Sequence, residues 1–356
     1  VNHGTAVLGE LVAQDDGQGV TGIANQSTMG LINPQASASA TDVAAAINRA
    51  AAILGPGDVI LVEQQTLGLR YNPATGQGLV PIEFEPDVFA AIKAATSRGI
   101  VVIEPSSNGS ENLDDAIYTG YFNRISHDSG AIVVGAGQAS TSAHTDRAWF
   151  NESDYGLRVD VQGWGQGVAT CGFGDVRLGT GQDFWYTTKF GGTSGAAAMV
   201  AGAAALLESI VKARNQPPLS PVALRQLLIV TGSGQAGDLT KHIGSRPDLK
   251  AAIAGLDTSL QPIQPVINSA SYNPASGRLT IVGANFLPGN AIVRIDGMQV
   301  RKIKYPGGSI QPDGTATRIM TKGNITSMLP EGVIVQITVS NPATGLSSPM
   351  FAFSRP

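Results

Sequence analysis

The segment Gly191-Gly192-Thr193-Ser194-Gly195, running directly into Ala196-Ala197-Ala198-Met199-Val200-Ala201-Gly202-Ala203-Ala204, most constrains what this chain can fold into. A glycine-rich turn followed by a long run of small apolar residues predicts a helix packed at close range in the middle of a domain. The first turn of such a helix offers backbone N–H groups without intrahelical acceptors, and the positive end of the helix dipole. A serine placed there has two readings. It caps the helix, or it is a nucleophile beside a ready-made anion site. At the other end of the sequence, Val1-Asn2-His3-Gly4-Thr5-Ala6-Val7 sets a histidine at the head of a second predicted helix.

The stretches between these segments predict an α/β domain. Three short β-branched runs, 58–63, 100–104 and 131–135, are bounded by Gly or acidic residues, as buried parallel strands tend to be. Helices are predicted between and after them. Residues 41–54 are alanine-rich and stopped by Gly55-Pro56-Gly57. Glu85-Pro86-Asp87 opens a helix that runs to Arg98 and closes at Gly99. Ser220-Pro221 and Pro247-Asp248 start two more, reaching about Val230 and Gly255. This alternation extends over residues 1–257 and predicts a parallel sheet flanked by helices. Residues 258–265, with two prolines, read as a linker. From 266 to 356, β-prone runs (278–282, 291–295, 333–339) alternate with the turn signals Asn273-Pro274, Asp296-Gly297 and Asn341-Pro342, which predicts an all-β sandwich.

Composition narrows the partners. The chain has 356 residues, enough for one large and one smaller domain. With 23 Lys and Arg against 27 Asp and Glu, it carries no basic stripe, which argues against a nucleic-acid partner. Cys171 is the single cysteine, so no intrachain disulfide forms. A Ser-, Thr-, Gly-, Asn- and Gln-rich chain with few lysines leans toward a secreted or cell-surface protein of bacterial type. No signal peptide lies within the chain, and residue 1 is Val. The 191–207 run approaches the length of a membrane span, but its Gly and Ala content predicts a soluble core helix instead.

The His3-Gly4-Thr5 and Gly192-Thr193-Ser194 motifs resemble those of the subtilisin-like serine peptidases, the subtilases. Further matching pieces are Gly19-Val20-Thr21-Gly22-Ile23-Ala24, the run 155–161 before Gly163-Trp164-Gly165, and the run 243–249. The resemblance covers most of residues 1–257 and rests on the order and spacing of the pieces. It implies a serine endopeptidase acting on polypeptides through an acyl-enzyme. Ser194 would be the nucleophile and His3 the base that takes its proton. His127, His144 and His242 lie outside the motifs and read as surface or structural residues. The family's oxyanion asparagine follows a central strand, and here the aligned run Pro105-Ser106-Ser107-Asn108-Gly109 offers Asn108. Asn108-Gly109 is also a dipeptide that forms ordinary turns.

The chain departs from the family at several points. Ser106 and Ser107 stand where a small Ala-Gly pair is usual, Ala198-Met199 replaces Pro-His, and Glu63-Gln64-Gln65 replaces a Ser-Xaa-Gly strand end that aligns the substrate backbone. The family order is Asp, His, Ser, and only Val1 and Asn2 precede His3. Asp15 and Asp16 do not match the pattern. The aspartate and the strand that bears it are therefore expected upstream, in a longer parent. Residues 1–356 alone are expected to be inactive or weak. No cofactor is implied. Structural calcium, common in the family, has only the acidic pairs Asp15-Asp16 and Asp114-Asp115 to recommend it here.

The segments 265–272 and 279–286 resemble bacterial Ig-like modules of the IPT/TIG kind, implying a spacer or surface-binding role. The rival to a peptidase is a catalytically inactive subtilase-like scaffold carrying that module.

Overall fold

The computed structural model describes residues 2–37, 40–124, 126–141, 143–176, 181–259, 265–286, 291–310, 315–341 and 346–355. The chain divides into two compact units, Val1–Leu256 and Asp257–Pro356. Residues 260–264 of the predicted linker lie outside the described residues, as does Pro342 of the Asn341-Pro342 turn.

In the first unit the helices begin and end where the sequence carries caps and breakers. Helix α1 spans Asn2–Val12. A short antiparallel pair, β1 (Gln35–Ser37) and β2 (Ala40–Thr41), precedes α2 (Val43–Ile53). The Asp42 side chain accepts from Ala45 N–H and caps α2. Strand β3 (Val59–Leu61) is followed by the antiparallel pair β4 (Gln65–Leu67) and β5 (Leu79–Pro81). Helix α3 (Pro86–Ser97) starts with Pro in its first turn and closes at Gly99, whose φ is +84°. Strands β6 (Val101–Pro105), β7 (Ile132–Gly137) and β8 (Val161–Trp164) complete a four-stranded parallel sheet in the order β3-β6-β7-β8. Strand β8 lies beyond the three runs that the sequence predicts as strands. It is four residues long and enters the turn-like Gly163-Trp164-Gly165, so its pattern carries no strand period.

Strands β9 (Val168–Cys171) and β10 (Tyr186–Phe190) pair antiparallel and lead into α4 (Gly192–Ala213), with α5 (Pro221–Thr231) and α6 (Leu249–Ser259) after it. Helix α4 packs against all four strands of the parallel sheet and against α1. Its small residues permit that approach: Ala196, Ala197, Ala198 and Ala204 are fully buried, and a side chain on Gly163 would lie 2.6 Å from the Ala196 backbone. Among the described residues α4 is the one helix long and apolar enough to cross a membrane, and 67% of that stretch is buried within its unit.

A buried ionic cluster ties the sheet to its surroundings. Arg158, fully buried, donates to both carboxyl oxygens of Glu83 at 2.6 and 2.9 Å and to Asp160 at 2.9 Å. Asp160 also accepts from Val133 N–H on β7 at 2.9 Å. Every charge in this cluster faces an opposite one, the condition under which burying it is tolerable.

The named strands of the second unit pair antiparallel among the described residues. Strands 266–273, 278–286, 316–321 and 303–304 form one sheet, and 298–299, 292–295, 334–341, 346–347 and 351–354 a second. Leu279, Ile281 and Phe286 of the first sheet share a buried cluster with Val293, Ile295, Val335 and Ile337 of the second. The predicted Asp296-Gly297 turn joins 292–295 to 298–299, with φ of +47° and +80°, the left-handed pair a two-residue hairpin requires.

Candidate active site

The adjacent parallel strands β3 and β6 end at one place, the edge of the sheet at which α/β folds assemble their sites. From β3 the chain continues through Val62, still bonded to Ile103, into Glu63. From β6 it turns through Ser106 and Ser107 to Asn108. Helix α4 points its N-terminus at these two ends, and α1 lays His3 alongside.

The structure brings His3, Ser194 and Asn108 together. His3 Nε2 lies 3.0 Å from Ser194 Oγ. The imidazole stands edge-on to Phe190 with ring centres 5.6 Å apart, and Thr170 Oγ1 ties α1 to β9 by donating to the Ala6 carbonyl at 2.5 Å. Burial is the main reason His3 titrates below the usual histidine range, so the ring is a neutral base at neutral pH. Ser194 is the third residue of α4. The capping position belongs to Gly191, which brings no side chain to cap the helix. The capping reading of Ser194 therefore fails: its hydroxyl faces His3 instead.

Asn108 is fixed by its oxygen. Oδ1 accepts from the backbone N–H of Thr193 at 2.9 Å and from the Thr193 hydroxyl at 3.1 Å. The amide nitrogen is thereby left as the donating end, beside the first turn of α4. Gly192 makes room for this contact. Its φ is +68°, and a side chain there would come within 3.0 Å of Asn108 Oδ1.

The serine pair that departs from the family has a compensating partner. Ser107 holds φ +88°, a left-handed conformation unfavourable for any residue but glycine. Gln65 clamps it: its Oε1 accepts from Ser107 Oγ at 2.8 Å and from Asn108 N–H at 3.1 Å. Asp154, fully buried, holds the far side of the turn by accepting from Gly109 N–H at 3.0 Å and Glu111 N–H at 2.9 Å. The replacement of glycine by Gln65 at the strand end and by Ser107 in the turn thus forms one interaction.

Two carboxyl groups at the site were not singled out from the sequence. Glu63 read as the acidic boundary of a strand and as a departure from the family, yet both its carboxyl oxygens are buried. Its Oε2 lies 3.9 Å from His3 Nε2. Burial raises its pKa to about 8, and the neighbouring Ser194 hydroxyl pulls in the opposite direction. Neither oxygen has a partner in hydrogen-bonding geometry. Glu10, two helical turns beyond His3 on α1, is also buried, and neither of its carboxyl oxygens has a partner. Burial first, and the charge of Glu63 second, raise its pKa to about 9. The only sequence signal was a heptad step from His3 to an acidic residue on an otherwise apolar helix face.

The remaining predicted residues sit elsewhere. Asp15 and Asp16 occupy an exposed turn after α1, where Asp16 accepts from Gln18 N–H. Asp115 pairs with Arg70 at 2.8 Å, and Asp114 accepts from Leu157 N–H. Among the described residues no group of three or more His, Cys, Asp or Glu side chains is arranged to hold a metal ion. His127 stacks on Phe89 with ring centres 3.8 Å apart and bonds the Tyr121 carbonyl.

A profile of the Subtilase family, peptidase S8, matches residues 1–246. The chain belongs to the subtilase family. Its fold is that of a subtilisin-like serine protease, and solved structures agree. The self-cleaved protease domain of PatA superposes with a TM-score of 0.53 at 17% identity, covering 72% of this chain and 83% of that one. The prenylagaramide maturation protease PagA gives 0.52 at 19% identity, covering 72% and 82%. A structure of proteases from Pseudoalteromonas arctica gives 0.50 at 22% identity, covering 71% and 70%. A search of curated protein sequences returns no match. In this subtilase the pair His3–Ser194 and the adjacent Asn108 all lie within the matched residues.

Proposed function

We propose that this subtilase is a serine endopeptidase that hydrolyses polypeptides through an acyl-enzyme on Ser194. One observation carries the reading: a histidine and a serine 191 residues apart in sequence meet at 3.0 Å. Ser194 Oγ attacks the scissile carbonyl carbon while its proton passes to His3 Nε2. The carbonyl oxygen, now negative, is met by the amide N–H of Asn108 and by the backbone N–H of Ser194 at the start of α4. Collapse expels the amine, which leaves with the proton held on His3. Water then adds to the acyl carbon as His3 takes its proton, the Oγ–acyl bond breaks as His3 returns that proton to Ser194 Oγ, and the acyl group departs as an acid that ionises in solvent. These steps call for no cofactor.

The supporting features are the neutral His3, the orientation of Asn108 fixed by Thr193, and the position of all three groups at the carboxyl ends of parallel strands. We assign no residue of 1–356 to the Nδ1 side of His3, and accordingly expect weak turnover from these residues alone. We infer further that the second unit is an Ig-like module of the IPT/TIG kind that acts as a spacer or surface-binding element, and that the protein works outside the cell. Labelling with a fluorophosphonate tests the catalytic reading. Modification of Ser194 in the native chain, lost in Ser194→Ala and strongly slowed in His3→Ala, is the expected result. A chain that stays unlabelled is the non-catalytic scaffold instead.

A further inference from the structure

The catalytic reading uses His3, Ser194 and Asn108 and leaves the two carboxyls beside them without a task. A buried carboxyl with no hydrogen-bond partner is costly, and such groups concentrate where chemistry is done. Glu63 and Glu10 are both of this kind. They sit on different elements, the end of β3 and the core face of α1, and converge on the start of α4. Glu63 Oε2 is 3.9 Å from His3 Nε2 and lies against the Ser194 hydroxyl. Glu10 Oε1 lies next to Gly195, where a methyl group in place of the glycine hydrogen would come within 3.5 Å of it. Among the described residues the groups facing Glu63 are His3 and Glu10 from α1 and Ser194 from α4.

We propose that Glu63 is a catalytic residue of this site, whose carboxylate balances the imidazolium formed on His3 when Ser194 gives up its proton. The inference rests on the reading of Ser194 as nucleophile. Its physical basis is the position of the charge. The proton leaving Ser194 arrives at Nε2, the ring atom that Glu63 faces, whereas the oxyanion forms on the side of Asn108. An ionised Glu63 therefore favours the charge-separated state. A protonated Glu63 offers no such balance. Because burial holds Glu63 protonated until about pH 8, this carboxyl ties the reactivity of the serine to the alkaline side of neutrality.

The test is the rate of Ser194 modification by a fluorophosphonate across pH 5–10, on the full chain. In this reaction the Oγ–P bond forms, the P–F bond breaks, fluoride leaves and the serine proton goes to His3. The native chain should show two rises, one from His3 and a second of at least tenfold centred near pH 8. Glu63→Gln should lose the second rise and keep the first, and Glu10→Gln should keep both. A merely structural role for Glu63 predicts a uniform slowing at every pH, and that result overturns the proposal. So does a second rise that survives in Glu63→Gln or vanishes only in Glu10→Gln. Labelling with a single rise in the native chain overturns this inference alone. No labelling of Ser194 at any pH overturns the peptidase reading and this inference with it. If Glu63→Gln does not fold, carboxyl titration of the native chain by ¹³C NMR decides. A carboxyl with its midpoint between pH 7 and 9 that shifts upward in Ser194→Ala supports the proposal, and its absence overturns it.

Discussion

Asn108→Asp separates the two jobs of this side chain. The structure divides the amide cleanly: Oδ1 accepts two hydrogen bonds from Thr193, and the nitrogen is the end left to donate. Aspartate keeps an oxygen at the first position and puts another where the donor was. Losing one oxyanion donor costs about 3–4 kcal/mol in the transition state, or roughly 10²–10³ in kcat. A negative carboxylate beside a developing oxyanion adds repulsion, so kcat should fall by at least about 10² with KM little changed. Stability should hold, because both bonds to Thr193 survive. Asn108→Leu removes those bonds as well, at about 1 kcal/mol net for each. For a unit of this size that lowers Tm by roughly 4–8 °C. The assay is steady-state cleavage of a fluorogenic peptide, with thermal melts of both variants. The oxyanion assignment is refuted if Asn108→Asp retains kcat within about threefold of native. It is equally undermined if Asn108→Asp and Asn108→Leu melt at the same reduced temperature, since the amide would then act only as a strut for α4.

Further outcomes follow from the packing and the charges. Arg158→Met leaves Glu83 buried without its counter-charge and Asp160 with Arg124 alone, and should cost about 3–5 kcal/mol by urea denaturation. Adding Glu83→Gln to it should recover part of the loss. Gly163→Ala places a methyl 2.6 Å from the Ala196 backbone, so it should cost about 1–3 kcal/mol and depress labelling of Ser194, two residues away. Gly195→Ala meets its neighbours at 3.5 Å and should leave stability unchanged or slightly improved, which circular-dichroism melts will show. The folded-state pKa values of Glu10 and Glu63 are raised, to about 9 and about 8. The folded state thus binds protons more tightly than the unfolded chain. Their contribution to stability is complete below the ordinary glutamate range and is lost as pH rises from there through 8 and 9. Melting temperature should accordingly fall between pH 5 and pH 9, and Glu10→Gln should flatten that fall.

Local signals made much of the site legible. His3 and Ser194 stood in motifs at helix starts, and Asn108 followed a β-branched run, so chain order alone suggested their grouping. The helices were legible for the same reason: Asp42, Ser220, Pro86 and Gly99 act on their immediate neighbours. Glu63, Gln65 and Glu10 were not legible. An acidic residue at the end of a strand reads as a solvated boundary, and only the arrival of α1 and α4 turns Glu63 inward. Gln65 looked like the loss of a glycine, because its partners Ser107 and Asn108 are 42 and 43 residues away. Strand β8 escaped because four residues ending in Gly-Trp-Gly show no period.

By itself the sequence determined which chemistry is available: a serine at the head of a small-residue helix, a histidine on another, and an amide after a strand. It also determined the elements, since caps, breakers and β-branched runs act within a few residues of themselves. Only the tertiary structure decided which groups share a site and in what state of charge. Those properties depend on distance and burial, and both are set by elements far apart in the chain. Ser194 lost its reading as a helix cap when His3 came within 3.0 Å. Glu63 and Glu10 became unusual acids only because the packing of α1 against α4 excludes water from both.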